Sequence, residues 1–300
     1  MCNFVLHFPI AQNMLPLPLV SVVMPARNAS PYVGEAIEST LRQTFTDFEL
    51  IVADDASDDD TCRLVRSFAD PRIRLIRHTQ PDYIGHLNAA MDMAKGQFVA
   101  RMDADDVMEA TRLQKQVDYL TAHPDADIVG SWFTAFGERS YVCQTLLTHE
   151  EIVSALLVFN PICHPTVMLR RRCVEAMQKD RGEVYDRRFA YAEDYRLWCD
   201  LATRGFRLAN LPESLLRYRT SATQLTRSRS REMRELALHI RLDYFRHVQE
   251  TMATHFPDYT DALNALIKLH NGGRMKLVAL LDATRLVYHQ ALVHAAPSRP

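Results

Sequence analysis

Three aspartates lie within four positions, directly behind an apolar run of the sequence. The stretch VARMDADDVM (99–108) contains Asp103, Asp105 and Asp106. Like charges this close repel one another at pH 7, so a fold accepts them cheaply only when a cation lies among them or when water screens them. A magnesium-type ion prefers oxygen ligands, and proteins commonly hold it with one or two carboxylates and the phosphates of a substrate. The Asp-x-Asp pair, Asp103 and Asp105, is therefore predicted to bind a metal ion or a nucleotide.

Asp106 allows a second interpretation. It can cap the helix that follows, with Glu109 three residues later completing a capping box. This local role would need no metal ion, and both interpretations stay open for Asp106. It explains neither Asp103 nor Asp105.

A second acidic run, DDASDDDT (54–61), also ends an apolar run. Asp and Ser are ordinary turn and N-cap residues, so the composition alone is a weak signal. Its position is more informative, because a carboxylate at a strand end could accept the imide N–H of a uracil ring. Asp54 and Asp55 are the candidates.

Two further stretches have a structural and a functional interpretation. In MPARN (24–28), the backbone could run along a nucleotide while Arg27 approaches a phosphate; alternatively, Arg27 is a surface arginine on a loop. In YAEDYRLW (191–198), the adjacent acids Glu193 and Asp194 begin a predicted helix. Acids favour helix N-termini electrostatically, so a stabilising role is the default there and catalysis is the alternative.

Six arginines crowd the stretch RYRTSATQLTRSRSREMR with a single glutamate among them. Such a run could be a solvated face, a contact with an anionic membrane, or a lid over a diphosphate. The six are Arg217, Arg219, Arg227, Arg229, Arg231 and Arg234.

Apolar runs and helical patterns alternate through the first 122 residues, and they would position these side chains. β-branched runs predict strands at 19–25, 48–55, 73–78 and 97–103. Helices are predicted from Ser30 and Pro31, over 59–68, over 85–94 with a stop at Gly96, and over 109–122. This alternation indicates a doubly wound, mostly parallel α/β sheet. Ligands bind outside the carboxyl ends of such strands, so both acidic pairs should face one crevice.

The regularity weakens after residue 122. ADIVGSWFTAF and YVCQTLLT predict a strand pair, and HPTVMLR predicts a further strand. AEDYRLWCDLATRG predicts a helix ended by Gly205. From about Ser228 the pattern predicts a helical extension.

The charge, cysteine content and hydropathy of the chain argue against several classes of protein. The chain has 300 residues, a formal net charge of −2 and a pI near 6.6, which argue against nucleic acid as the main partner. Six cysteines without metal-type spacing predict free thiols in a reducing cytoplasm. The N-terminus lacks a basic n-region and a cleavage site, and no run approaches eighteen uncharged apolar residues, so we expect neither a secretory signal nor a membrane span.

The ordered set of these stretches resembles the family 2 glycosyltransferases over residues 18 to 220. The resemblance rests on VSVVMPARNASPYVGEAIESTLRQTFTDFELIVADDASDDDT, GHLNAAMDMAKGQFVARMDADDVMEATRLQKQVDYL, HPTVMLRR and EDYRLWCDLATRGFRLANLPESLLRYR. It implies the A-type, Rossmann-like fold, a nucleotide diphosphate sugar as donor, and a divalent metal ion, Mn²⁺ or Mg²⁺. The long synthase members carry a Gln-x-x-Arg-Trp motif and membrane helices, which this sequence lacks, so a processive membrane polymerase is not expected.

The resemblance also implies roles for individual residues. Asp55 matches the residue that reads uracil, with Asp54 beside it, and Asp194 matches the catalytic base, with Glu193 beside it. Asp105 is the better candidate for direct metal contact, and Asp103 for the metal or the ribose. Many members have an aromatic residue where this chain has Arg27, which leaves base stacking there open. The full nucleotide-binding set is Pro25, Ala26, Arg27, Asn28, Asp54, Asp55, Asp103, Ala104 and Asp105.

The resemblance implies inverting transfer from a nucleotide sugar, expected to be UDP-linked, to a saccharide, lipid-linked or other hydroxyl acceptor in cell-envelope or exopolysaccharide synthesis. The alternatives are a sugar nucleotidyltransferase, although MPARNASP lacks the glycines of its usual loop, and a non-catalytic nucleotide-sugar-binding protein. His164 and Tyr185 are either acceptor contacts or buried structural residues. The expected location is cytoplasmic, with peripheral membrane association and a homodimer through the C-terminal helices as options. We expect an extension over 1–17, a catalytic domain over 18–225 (nucleotide half 18–106, acceptor half 107–225) and a helical region over 226–300.

Overall fold

The computed structural model describes residues 17–221 and 230–295. Strands and helices alternate as far as Arg101, and the last part of the described chain is helical. The strands are β1 Val20–Ala26, β2 Phe48–Asp54, β3 Ile73–Arg77, β4 Phe98–Arg101, β5 Val107–Met108, β6 Ile128–Gly137, β7 Tyr141–Cys143, β8 Met168–Arg170 and β9 Leu208–Thr220. The helices are α1 Val33–Leu41, α2 Thr61–Ser67, α3 Tyr83–Met93, α4 Arg112–Ala122, α5 His149–Ala155, α6 Arg171–Arg181, α7 Glu193–Thr203, α8 Ser230–His255, α9 Pro257–Asn271 and α10 Leu277–Ala295.

The described strands form one sheet in the order β3-β2-β1-β4-β8-β6-β9-β5, with β7 paired to β6. The first four strands are parallel, as the alternating pattern predicted. In the second half, β8 runs antiparallel to β4 and β6, β6 and β9 are parallel, and β5 is antiparallel to β9. The predicted α/β class with a helical C-terminal region is confirmed, and its second half is a mixed sheet.

Both faces of the sheet are covered. Successive strand residues point to opposite faces, so Val22 and Val23 enter two different apolar cores. Both side chains are fully buried, as are Leu50 and Ile51 on the next strand. This explains why β1 and β2 are continuous apolar runs rather than alternating ones.

The start of α1 differs from the prediction. The helix begins at Val33, and Tyr32 rather than Ser30 occupies the N-cap position, without a side-chain hydrogen bond. The reason is tertiary: the Ser30 N–H donates to Asp59 Oδ2 at 2.9 Å, and the Ala29 N–H donates to Thr61 Oγ1 at 2.8 Å. These bonds hold residues 29 and 30 against residues 59 and 61, which lie after β2, so the helix starts only after them.

The two predicted glycine stops had different outcomes. Gly205 follows α7 with φ +80°, the left-handed geometry expected at a helix end. Gly96 does not have this geometry, because α3 ends at Met93 and its C-cap residue, Ala94, is already extended. Gly96 is required for close packing instead: an added Cβ would lie 2.5 Å from the Ser21 backbone nitrogen.

The predicted capping role of Asp106 is wrong. Helix α4 begins at Arg112, with Thr111 at the N-cap position, so Asp106 and Glu109 do not form a box around its first turn. Asp106 Oδ1 instead accepts a hydrogen bond from the backbone N–H of Arg219 on β9, at 2.8 Å. The pairing of β5 with β9 brings these distant segments together.

The C-terminal helices pack on the rest of the protein. Tyr244 and Val248 of α8 share an apolar core with Trp198 of α7, and Leu281 and Tyr288 of α10 join the same core. Among residues 17–221 and 230–295, none of the helices combines the length and hydropathy that a membrane span requires. The predicted domain boundary at 225/226, and nearly all of the predicted extension over 1–17, lie outside the described residues. Cysteines 62, 143, 163, 173 and 199 are free thiols, as expected; Cys2 is not among the described residues.

Candidate active site

Both acidic pairs lie at the carboxyl edge of the parallel strands. Ala26, the last residue of β1, pairs with Asp54 of β2, and the Met102 N–H after β4 donates to Val23 of β1 at 3.1 Å. Because β1 lies between β2 and β4, the turn after β2 and the turn after β4 flank its end. The sheet therefore places the two acidic turns on the two sides of the end of β1.

Asp103, Asp105 and Asp106 form a compact cluster of oxygen donors. Each offers one carboxylate oxygen, and these oxygens lie within 4.8 Å of one another. Asp106 is 1% exposed, and its Oδ2 atom has no hydrogen-bond partner among the described residues. A hard divalent cation takes oxygen ligands of this kind, so the residues present fit Mn²⁺ or Mg²⁺.

The pKa values of the clustered carboxylates also favour a bound cation. Burial, reinforced by the Asp103 carboxylate, raises the pKa of Asp105 to about 6. Burial together with the same neighbour raises the pKa of Asp106 well above its ordinary value. Carboxylates with raised pKa values lack sufficient positive charge nearby, and a bound cation would supply it.

Asp103 already has a cationic partner. Arg101, at the end of β4, donates from Nη1 to Asp103 Oδ1. Burial is the largest single effect on Arg101 and disfavours its charge, but Asp103, Tyr83 and Tyr185 together outweigh burial and raise the pKa of Arg101. One Asp103 oxygen is held by Arg101 and one Asp106 oxygen by the Arg219 N–H, so among the described contacts of the cluster Asp105 has the least engaged carboxylate.

Arg219 of β9 fixes the backbone of this acidic turn. Besides its N–H bond to Asp106, its Nε donates to the Asp105 carbonyl at 2.7 Å. The guanidinium lies 4.4 Å from the ring centroids of both Tyr32 and Phe136, and Nη2 donates to Glu35 at 2.5 Å. Of the other arginines in this run, Arg217 lies over the Phe136 ring and Arg231 forms an ion pair with Glu235. Arg227 and Arg229 lie outside the described residues.

Asp55 is held from three sides. Its Oδ1 accepts from the Asp82 N–H at 2.7 Å and lies 2.6 Å from His86 Nδ1, while Oδ2 accepts from Arg27 Nη1 at 3.3 Å. The carboxylate is nearly buried, whereas the Arg27 side chain is half exposed. His78 stacks on His86 with ring centroids 3.4 Å apart, and burial together with His86 lowers the pKa of His78. Asp55 is thus fixed at the edge of the crevice.

The turns after β1 and β2 are bonded to each other. The Asn28 N–H donates to Ser57 Oγ at 2.9 Å, and Asn28 Oδ1 accepts from the Asp58 N–H at 3.1 Å. Asn28 and Ala56 both have positive φ values, 49° and 53°, which side-chain-bearing residues rarely adopt. Asp54 is fully buried, with Oδ2 accepting from the Ser57 N–H at 3.3 Å. Pro25, Ala26 and Ala104 are likewise buried.

Glu193 and Asp194 begin α7; Ala192 is its N-cap residue, and Tyr191 before it has φ +73°. Asp194 accepts from Asn160 Nδ2 at 2.8 Å and from the Tyr195 N–H at 2.7 Å. Burial raises the pKa of Asp194 above its ordinary value. Asp194 is partly accessible and can therefore meet a ligand.

Glu193 is buried more deeply, at 6% exposure. Its Oε1 accepts from the Tyr83 hydroxyl at 3.1 Å, and that hydroxyl accepts from Arg101 Nη2 at 3.3 Å. Burial, followed by the Asp194 charge, raises the pKa of Glu193 to about 7. A continuous set of contacts therefore runs from Asp103 through Arg101 and Tyr83 to Glu193.

His164 and Tyr185 bond to each other in the interior. His164 Nε2 and the Tyr185 hydroxyl are 2.9 Å apart, and the two residues are 8% and 0% exposed. Burial, with the Arg101 charge, lowers the pKa of His164 well below its ordinary value and keeps the ring neutral. This environment favours the structural interpretation of both residues.

The sequence and the fold match known proteins. Residues 21–194 match the family described as glycosyl transferase family 2. A relative from Escherichia coli, the UDP-Glc:alpha-D-GlcNAc-diphosphoundecaprenol beta-1,3-glucosyltransferase WfaP, is 27% identical over 220 residues, 72% of this chain and 82% of that protein.

Two solved structures share the fold. TarS residues 1–349 from S. aureus, in complex with UDP, superposes with a TM-score of 0.62 at 18% identity, covering 93% of each chain. The mannosyltransferase PcManGT from Pyrobaculum calidifontis, in complex with GDP-Man and Mn²⁺, gives a TM-score of 0.56 at 17% identity, covering 95% of this chain and 88% of that one. Since the family match spans more than half of the sequence, and the fold and acidic strand ends agree with it, the chain belongs to glycosyl transferase family 2.

Proposed function

We propose that the protein transfers a sugar, with inversion at the anomeric carbon, from a UDP-sugar to a hydroxyl of a saccharide or lipid-linked acceptor, and that the reaction needs a divalent cation. One observation carries this proposal: the oxygen cluster of Asp103, Asp105 and Asp106 is joined to the start of α7 by direct contacts. A cation-binding acid cluster and a partly accessible carboxylate at two sides of one crevice are the groups that such a transfer requires.

The donor would bind along the ends of β1, β2 and β4. Asp55 is the candidate for accepting the uracil imide N–H, and it is already oriented by Asp82 and Arg27. The turn from Pro25 to Asn28 would lie against the nucleoside. Asp105 and Asp103, with Asp106, would hold Mn²⁺ or Mg²⁺, which when bound supplies positive charge for the departing diphosphate.

Asp194 is the candidate general base. As the anomeric bond breaks, positive charge develops on the sugar and an acceptor hydroxyl attacks from the side opposite the diphosphate. Asp194 would take the proton of that hydroxyl, a role that typically accelerates a reaction by about 10²- to 10⁴-fold. Asn160 orients this carboxylate, and Glu193 supports the turn in which it lies.

The physiological role is inferred from the family. WfaP, by its name, acts on a diphosphoundecaprenol-linked acceptor, so we propose a similar acceptor class and a role in cell-envelope or exopolysaccharide synthesis. The proposed location is cytoplasmic, at the inner face of the membrane. We also propose residues 18–225 as the catalytic domain, with a nucleotide half over 18–106 and an acceptor half over 107–225, and residues 226–300 as a helical appendage available for pairing two subunits.

Donor hydrolysis tests the proposal without an identified acceptor. The purified protein is incubated with a panel of UDP- and GDP-sugars, with Mn²⁺, with Mg²⁺ or with a chelator. We expect slow, cation-dependent release of UDP from at least one UDP-sugar. Tight binding of a UDP-sugar without release or transfer would support a non-catalytic binding protein instead. Equal turnover in the chelator would contradict the role of the acidic cluster.

A further inference from the structure

The contacts between the acidic cluster and α7 pass through two residues that no motif singled out. Arg101 is the last residue of β4, and Tyr83 is the first residue of α3. Arg101 donates to the side chain of Asp103 and to the Tyr83 hydroxyl, and Tyr83 donates to Glu193. Three separate segments of the chain thus meet at one hydroxyl group.

We propose that Tyr83 and Arg101 are positioning residues, which tie the cation-side carboxylate Asp103 to Glu193 and thereby hold the candidate base Asp194 in place relative to the donor. This inference rests on the proposed function. Neither residue needs to touch the reacting atoms, because each acts through a carboxylate beside it.

The Tyr83 hydroxyl is difficult to replace. Arg101 is 3% exposed and Glu193 is 6% exposed, so neither can exchange a lost partner for bulk water. Each already has one buried atom without a partner among the described residues, Arg101 Nε and Glu193 Oε2. Losing the hydroxyl would leave two more, and leaving buried polar atoms unpaired is costly. We therefore expect the charged side chains to shift rather than stay in place.

A shift of Glu193 reaches Asp194 through the backbone. The two acids are consecutive in the first turn of α7, next to Tyr191 in a left-handed conformation. The Asp194 side chain is itself oriented by Asn160 at 2.8 Å and by the Tyr195 N–H at 2.7 Å. A small displacement of this turn misaligns the carboxylate from its acceptor, and misalignment lowers the chemical rate more than it lowers donor affinity.

A double-mutant cycle between Tyr83→Phe and Glu193→Leu tests the inference, because each variant alone removes the hydrogen bond between the two side chains. In the wild-type background, Tyr83→Phe should lower kcat by about 10- to 100-fold, the usual range for a residue that orients an active group, while the donor KM stays within about twofold. In the Glu193→Leu background, which has no acceptor left for the hydroxyl, Tyr83→Phe should change kcat by less than about twofold, because the two groups act as one unit. Tyr244→Phe is the matched control: it also removes a buried hydroxyl, one that donates to Val153 at 3.0 Å in the C-terminal core, and it should leave kcat unchanged.

The outcomes separate this inference from the proposed function. Independent losses in kcat that multiply in the double variant, or a donor KM that rises as much as kcat falls, would overturn the positioning role. Wild-type protein that consumes no donor would contradict the proposed function instead. In that case urea unfolding of the same four proteins still measures the link: non-additive shifts in the midpoint support it, and additive shifts overturn it.

Discussion

At the scale of single residues, the site separates two acids that the sequence presents as a pair. Glu193 and Asp194 are adjacent, yet Glu193 is buried against Tyr83, whereas Asp194 is partly accessible and bonded to Asn160. A general base must reach the hydroxyl whose proton it takes, so accessibility favours Asp194 for that role. Glu193 is better suited to holding the turn.

This assignment predicts the effect of Asp194→Asn. The amide keeps the size and most hydrogen bonds of the carboxylate but cannot take a proton, so turnover should fall by about 10²- to 10⁴-fold. Donor affinity, measured by calorimetry, should change little. Asp243→Asn on α8 is a matched control, since it alters an exposed ion pair with Arg196 and should leave turnover intact. Full turnover in Asp194→Asn would remove Asp194 from the mechanism.

For Asp105→Ala we expect an effect on cation-dependent binding. Its carboxylate lies in the oxygen cluster and is not engaged by Arg101, so Asp105→Ala should weaken Mn²⁺-dependent UDP binding by at least about 10-fold. Titration of UDP with and without Mn²⁺ measures the cation-dependent part of the affinity directly. Asp118→Ala, which removes an exposed helical carboxylate, should leave that part unchanged. Equal cation dependence in both variants would show that the cluster does not bind the ion.

At the scale of the elements, local signals located the strand ends and long-range contacts determined what holds them. Each buried strand is visible in the sequence as a β-branched run, and the edge at which parallel strands end follows from the topology. The sequence could not predict that Arg219 holds the acidic turn, because it lies 114 residues from the Asp105 carbonyl that it binds. Asn160 and the Arg101–Tyr83 link share this character: their partners come from other segments, and nothing local distinguishes them. The capping interpretation of Asp106 was wrong for the same reason, because its carboxylate accepts a hydrogen bond from Arg219 on β9 instead of from the start of α4.

The α3–β4 connection gives an element-scale prediction. Gly96 packs so closely on β1 that a Cβ would lie 2.5 Å from the Ser21 nitrogen, and backbone there cannot easily move. Gly96→Ala should therefore lower the free energy of unfolding by about 1–3 kcal/mol, the usual cost of overpacking. Gly34→Ala is the control: nothing lies within 4 Å of its Cβ, so this change in α1 should be neutral or slightly stabilising. Urea denaturation of both variants compares them, and equal stability would contradict the packing argument.

At the scale of the whole molecule, burying the acidic groups of the site lowers the stability of the folded state. Two apolar cores cover the sheet, and the larger one extends from β1 and β2 through α7 to the C-terminal helices. This packing is what keeps Glu193 away from water. The same burial that positions the acid also opposes its charge, so the free energy of unfolding should depend on pH.

The sign of that dependence follows from the pKa of Glu193, which burial raises from its ordinary value of 4.5 to about 7 in the fold. Burial is the main cause and the Asp194 charge adds to it, while Arg101 and the Tyr83 hydroxyl oppose it. A raised carboxylate pKa means that the folded state holds a proton which the unfolded chain has lost. The stability contributed by this proton is complete below about pH 4.5 and is lost as the pH rises through 7; the shift corresponds to at most about 3 kcal/mol.

Glu193→Gln isolates this effect, because the amide retains an acceptor for Tyr83 and carries no charge at any pH. Near pH 5 the variant and the wild type should unfold with similar free energies. At pH 8 the variant should be more stable by about 1–3 kcal/mol, since only the wild type then buries an ionised Glu193. Urea denaturation at the two pH values gives the comparison. Buried acids away from Glu193 cancel because both proteins contain them, and the loss of the Glu193 charge relieves its neighbour Asp194 in the same direction. A stability difference that is the same at pH 5 and pH 8 would mean that Glu193 is not buried with a raised pKa, and that α7 does not hold it as described.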